Sequence, residues 1–67
     1  MSNKLKVERA KKDLTQEELA EEMEVSRQTV NAIETGKYDP SLELALKLAE
    51  FFECNVEDIF SIESKIS

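Results

Sequence analysis

Residues Thr15 to Lys37 read TQEELAEEMEVSRQTVNAIETGK. Thr15 with Glu18 three positions on is a capping box, in which the hydroxyl accepts an orphan amide and the carboxylate accepts the N–H of the cap itself. A helix therefore starts at Gln16 and runs to Met23, with Leu19, Ala20 and Met23 on one face. Ser26 opens another, carrying Thr29 and the apolar pair Val30 and Ile33, and Gly36 supplies a left-handed stop, so this helix spans 26–35. Only Glu24 and Val25 lie between the two. The chain must reverse sharply there, with Ala20 as the small residue where the helices cross. Leu19, Met23, Val25, Val30 and Ile33 are the inward positions, while Gln16, Arg27, Gln28, Asn31 and Ala32 remain outside.

Working outward, Leu5, Val7, Ala10 and Leu14 make a short apolar face in a lysine-rich segment, which predicts a first helix over 3–12. After Gly36, Tyr38-Asp39-Pro40 is a loop, and Pro40-Ser41 precedes a fourth helix over 41–52. Leu42, Ala45, Leu46, Ala49 and Phe52 repeat there at helical spacing, and Leu44, Leu48 and Phe51 widen the stripe toward that of a buried helix. Asn55 caps a short fifth helix over 56–60 carrying Val56, Ile59 and Phe60. Residues 61–67, with Ile62 and Ile66, are too short for a core element and are expected to form a loose tail or a contact between subunits. The expected fold is all α: one five-helix domain over 1–67, with the second and third helices as a helix-turn-helix.

Composition narrows the function. Sixty-seven residues with one glycine and one proline leave little room for linkers, and a chain this short buries only about 60% of its unfolded surface. Cys54 is the only cysteine. No disulfide within the chain and no thiolate metal cluster follow from it, which suits a reducing cytosol, and neither metal nor other cofactor is expected. Cys54 itself reads as a small core hydrophobe at the end of the fourth helix, since no basic neighbour would lower its pKa. The longest apolar stretch is interrupted by Glu43, Lys47 and Glu50, and no signal core follows the first lysines, so a cytoplasmic protein without membrane contact is expected. An enzyme fails on inventory: there is no histidine, no nucleophile-and-base pair and no glycine-rich phosphate loop, and the chain is too small to enclose a pocket for a small-molecule ligand.

The charge is acidic, −6 overall, but unevenly spread. Met1 to Lys12 carries five basic residues and one acidic, and Asp13 to Val25 six acidic and no basic. Ser26 to Pro40 is balanced, and Ser41 to Ser67 has two basic against six acidic. A polyanion would have to be met by local sign rather than net sign, with Glu18 engaged in its cap and Glu21 and Glu22 facing away. Glu17, Glu18, Glu21 and Glu22 otherwise read as a solvated helix face.

TQEELAEEMEVSRQTVNAIETGKYDPS resembles the lambda-repressor-like family of phage repressors and Cro proteins, often called the Xre family. Arg9, Thr15-Gln16, Leu19-Ala20, Val25-Ser26, Gln28, Val30, Ile33-Glu34, Gly36 and Pro40 fall where that family's pattern places such residues, over nearly the whole chain. The resemblance implies a sequence-specific regulator of transcription, a repressor, in a prokaryotic cytoplasm and nucleoid or a phage. Its third helix would read the major groove of double-stranded DNA. By position it makes Arg27, Gln28 and Asn31 base readers, since Arg pairs bidentately with guanine and Gln or Asn with adenine; Thr29 would touch a thymine methyl or a phosphate. Gln16, Ser26, Lys37 and Tyr38 would grip phosphates. Arg9 and Glu34 would form a structural ion pair tying the first helix to the third.

Few basic groups imply modest affinity, which a homodimer through the C-terminal region would remedy by setting two reading helices about 34 Å apart on a palindrome. Phe51, Phe52, Phe60, Ile62 and Ile66 are candidates for that contact. One departure from the family is Glu24, where glycine is frequent; a positive φ is expected there, with Glu24→Gly stabilising the domain. A different function for the same fold is a protein-binding module, such as an antitoxin whose acidic surface neutralises a basic partner.

Overall fold

The computed structural model describes residues 2–61. In chain order it contains β1 (Ser2–Asn3), α1 (Leu5–Lys11), α2 (Gln16–Met23), α3 (Arg27–Glu34), α4 (Leu42–Phe51), α5 (Val56–Ile59) and β2 (Phe60–Ser61). The fold is five helices closed at the two ends by a two-residue antiparallel ribbon, with Ser2 opposite Ser61 and Asn3 opposite Phe60.

Side chains start three of the helices. Thr15 Oγ1 accepts the Glu18 N–H at 3.0 Å while Glu18 Oε1 accepts the Thr15 N–H at 2.9 Å. Ser26 Oγ takes the Thr29 N–H at 3.1 Å, and Ser41 Oγ the Leu44 N–H at 3.2 Å. Left-handed residues follow each of the first four helices: Asp13, Glu24 and Glu53, after α1, α2 and α4, stand at φ 59°, 62° and 57°, and Gly36, after α3, at 79°. At Glu24 this conformation lets the Val25 N–H return to the Ala20 carbonyl at 3.0 Å, so that α2 stops and Ser26 caps α3 two residues later. Glu24 thus has the positive φ that the short turn demanded. Asp13 and Glu53 do the same after α1 and α4, without a glycine-like pattern to reveal them.

Leu5, Leu19, Val30, Ile33, Leu48 and Ile59 are the largest fully buried side chains, and Ala20, Met23, Leu44, Ala45, Ala49, Phe52 and Phe60 complete the core. Leu14, Val25, Phe51, Cys54 and Val56 pack against it, partly buried. Among the described residues no helix is long and apolar enough to cross a membrane.

The structure corrects four expectations. Asn3 lies outside α1: its backbone pairs with Phe60, its Oδ1 accepts the Leu5 N–H at 3.1 Å, and its Nδ2 donates to the Ile33 carbonyl at 2.8 Å. A side chain that bonds the backbone two residues on competes with helix continuation, so the helix begins after it. Phe60 correspondingly leaves α5 for extended backbone, φ −115° and ψ 135°. Val7 and Ala10 are exposed, because a seven-residue α1 buries only Leu5.

The fourth correction concerns α4, which buries Leu44, Ala45, Leu48 and Ala49, with Phe52 buried at its C-terminal cap, and leaves Leu42 and Leu46 73% and 53% exposed. Apolar residues stand on nearly every side of this helix, so periodicity admits two overlapping stripes and packing selects one. Of the C-terminal aromatics, Phe52 and Phe60 are in the core, and Phe51 meets Phe52 edge-on with centroids 5.0 Å apart. Ile62 and Ile66 lie outside the described residues.

Candidate nucleic-acid interface

The helix-turn-helix consists of α2, the turn Glu24–Val25 and α3. Leu19, Ala20 and Met23 on α2 and Val30 and Ile33 on α3 are buried, which orients α3 by its apolar face and leaves the opposite face in solvent. Arg27, Gln28 and Asn31 are exposed at positions i, i+1 and i+4, on one side of α3 from its first residue onward. Ala32 and Thr29 are half-buried.

Ser26 and Thr29 sit together at the start of α3 with their hydroxyl oxygens 3.0 Å apart, and both serve the cap. Past Gly36 the chain is held down, the Lys37 and Tyr38 N–H groups both donating to the Ala32 carbonyl at 2.9 and 3.2 Å. The Lys37 and Tyr38 side chains stay exposed beside the C-terminal end of α3.

A polar network braces the other flank. Arg9 on α1 donates through Nε to Glu34 Oε2 at 2.7 Å, through Nη2 to Oε1 at 3.3 Å, and through Nη1 to the Leu14 carbonyl at 2.7 Å. These side chains are 15% and 4% exposed, so the charges are paired where water screens them little. Gln16 joins them: its Nε2 donates to Glu34 Oε1 at 2.9 Å and to Asn31 Oδ1 at 3.1 Å. Both amide protons are consumed. The sequence placed Gln16 at a helix start open to solvent and carried no signal for this bond, because its partners lie 15 and 18 positions away.

Arg27 shares a shallow cleft at the start of α2 with Arg9, Asp13, Leu14, Thr15, Gln16 and Glu17. Two carboxylates therefore stand beside the two guanidinium-bearing residues there. Lys11 is paired with Glu8 at 3.3 Å and Lys12 lies 5.7 Å over the Phe51 ring, so neither lysine is without an intramolecular anchor. Cys54 stands apart from this face. Its partial burial, then the carboxylates of Glu8 and Asp58, push its thiol above the ordinary range, against a smaller lowering by Lys11.

Comparison with known proteins places this geometry. A family profile described as helix-turn-helix matches residues 5–59. An uncharacterized HTH-type transcriptional regulator of Methanocaldococcus jannaschii is 62% identical, over 94% of this chain and 96% of its own length. The HTH-type transcriptional activator BcrR of Enterococcus faecalis is 36% identical over 98% of this chain, which corresponds to 32% of the activator. Among solved structures, the SOS-response transcriptional repressor LexA from Eubacterium rectale superposes with a TM-score of 0.76 at 30% identity, over 94% of this chain and 78% of that one. With a buried apolar crossing of α2 and α3, a two-residue turn and a polar outer face on α3, the chain belongs to the lambda-repressor-like helix-turn-helix family of DNA-binding transcriptional regulators.

Proposed function

We propose that this regulator is a repressor that binds a palindromic operator as a homodimer, with α3 of each subunit in the major groove. The observation that carries the reading is the exposed row Arg27, Gln28 and Asn31 on a helix whose other face is locked into the core. Long polar side chains on a rigid helix are what base-edge recognition needs, at about 1–3 kcal/mol of discrimination per good pair. Thr29, half-buried beside Ser26, is the further base contact in this reading, through its methyl on a thymine.

Lys37, Tyr38, Ser26 and the backbone amides at the start of α2 hold phosphates in this reading. At Gln16 the contact falls to the main chain, since its side-chain donors serve Glu34 and Asn31. Repression requires only that the operator be occupied, and the structurally similar LexA is a transcriptional repressor. The dimer contact lies in the C-terminal half, where Leu46, Ala49, Cys54 and Val56 line a shallow groove between α4 and α5 with Leu46 53% exposed.

Selection of bound duplexes from a random pool at low salt tests the reading. A palindromic consensus is expected, with half-sites about one helical turn apart. Arg27→Ala and Gln28→Ala each relax one position of it, whereas Lys37→Ala weakens every sequence alike and makes the salt dependence shallower. Consensus positions unchanged by both α3 variants would remove the base-reading role. Sedimentation that finds only monomers, free and on DNA, would remove the dimer.

A further inference from the structure

The hydrogen-bonded chain from Arg9 to Asn31 has only one polarity open to it. Arg9 can only donate, and the Glu34 carboxylate that it pairs can only accept. The Gln16 amide group 2.9 Å from Glu34 Oε1 must therefore be its NH2, since the reverse orientation sets a carbonyl oxygen against a carboxylate. That same Nε2 is 3.1 Å from the Asn31 side chain, so the atom Asn31 turns toward it must be its acceptor, Oδ1. What remains to face outward from the exposed Asn31 is its amino group, Nδ2, which makes no hydrogen bond among the described residues.

We infer that Gln16 is a positioning residue that presents Asn31 to DNA as a hydrogen-bond donor, so that Asn31 selects guanine, whose major-groove edge offers the adjacent acceptors N7 and O6. Adenine recognition by asparagine uses donor and acceptor together, and here the acceptor is turned toward α2. The inference rests on the reading of α3 as the base-contacting helix. It reverses the base that an unconstrained asparagine would favour, and it ties that choice to Arg9 on another helix through two intervening side chains.

The test repeats the duplex selection with the full chain and three variants. Asn31→Ala identifies the base pair concerned as the one whose preference disappears, and the unsubstituted protein selects guanine there. Gln16→Met keeps side-chain length and removes both donors; it frees the carboxamide to turn and moves the preference at that pair alone to adenine, by about fivefold or more. Asn31→Asp keeps an oxygen for Gln16 and turns a second oxygen outward, which moves the preference toward cytosine and its N4 donor. Adenine at this pair in the unsubstituted protein overturns donor presentation. Guanine surviving in Gln16→Met, with affinity lowered evenly on all sequences, reduces Gln16 to a structural role and overturns the positioning. If Asn31→Ala changes no position, the base contact itself fails and the inference falls with it. Should Gln16→Met not fold, as judged by its thermal melt, Gln16→Ala, which also removes both donors, takes its place with the same expected move to adenine, and guanine surviving there overturns the positioning.

Discussion

Helices α3 and α4 each place an apolar face in the same core, yet they differ in what they do with the other side. On α3 the outward residues are Arg27, Gln28 and Asn31, so hydrophobic periodicity has one solution and the buried pair Val30 and Ile33 follows from it. On α4 the outward side holds Leu42 and Leu46 together with Glu43, Lys47 and Glu50. A helix that is apolar nearly all round does not announce its inner face. The outer surfaces of the two helices therefore differ in kind, a charged and amide-bearing row on α3 and two exposed leucines among charged residues on α4.

The contrast within each helix can be broken by truncation. Ile33→Ala and Leu48→Ala should each cost about 2–5 kcal/mol in urea unfolding, whereas Leu42→Ala, outside the core, should stay within about 0.5 kcal/mol. Equal losses at Leu42 and Leu48 would mean that α4 is turned differently in solution.

A second difference lies in how the helices are tied. Glu34 of α3 is held by Arg9, while among the described residues no α4 side chain joins an ion pair. Arg9→Met, which leaves the Glu34 carboxylate with Gln16 alone, should cost about 3 kcal/mol, and Lys47→Met should be near neutral. A neutral Arg9→Met would show that the network shapes α3 without stabilising it.

The turns after α2 and α4 carry the same left-handed glutamate. Glu24→Gly and Glu53→Gly should each stabilise by up to about 1 kcal/mol, net of the entropy a glycine adds to the unfolded chain, and raise Tm by several degrees. A drop in Tm for Glu24→Gly alone would point to a role for its side chain in the turn. The smallest effect expected is chemical. With its thiol pushed up by burial and by Glu8 and Asp58, Cys54 should be alkylated more slowly in the folded protein than in urea at pH 8, and the two rates should converge as pH rises through the folded pKa.

Much of the site was legible because its determinants are local. The Thr15–Glu18 box, the Ser26 and Ser41 caps and the two-residue spacing around Glu24 act over three or four positions, and any chain with them is driven to start and stop its helices there. Arg27, Gln28 and Asn31 could be assigned to the outer face by spacing alone. The start of α1 is the converse case: Asn3 bonds the nearby Leu5 N–H, but its pairing with Phe60 and its bond to the Ile33 carbonyl come from residues far along the chain, and no local pattern signals them.

What the sequence alone determined is the helix-turn-helix, with its caps, its left-handed turn residue and the polar row on α3, since each rests on contacts a few residues apart. The tertiary structure decided which leucines of α4 are buried, that the two ends pair as a ribbon, and which way the Gln16 and Asn31 amides point. Those outcomes depend on groups brought together from distant positions, Asn3 with Ile33 across 30 residues and Gln16 with Glu34 across 18. An amide presents a donor and an acceptor with nearly equal shape, so only the neighbour it meets in the folded chain selects between them.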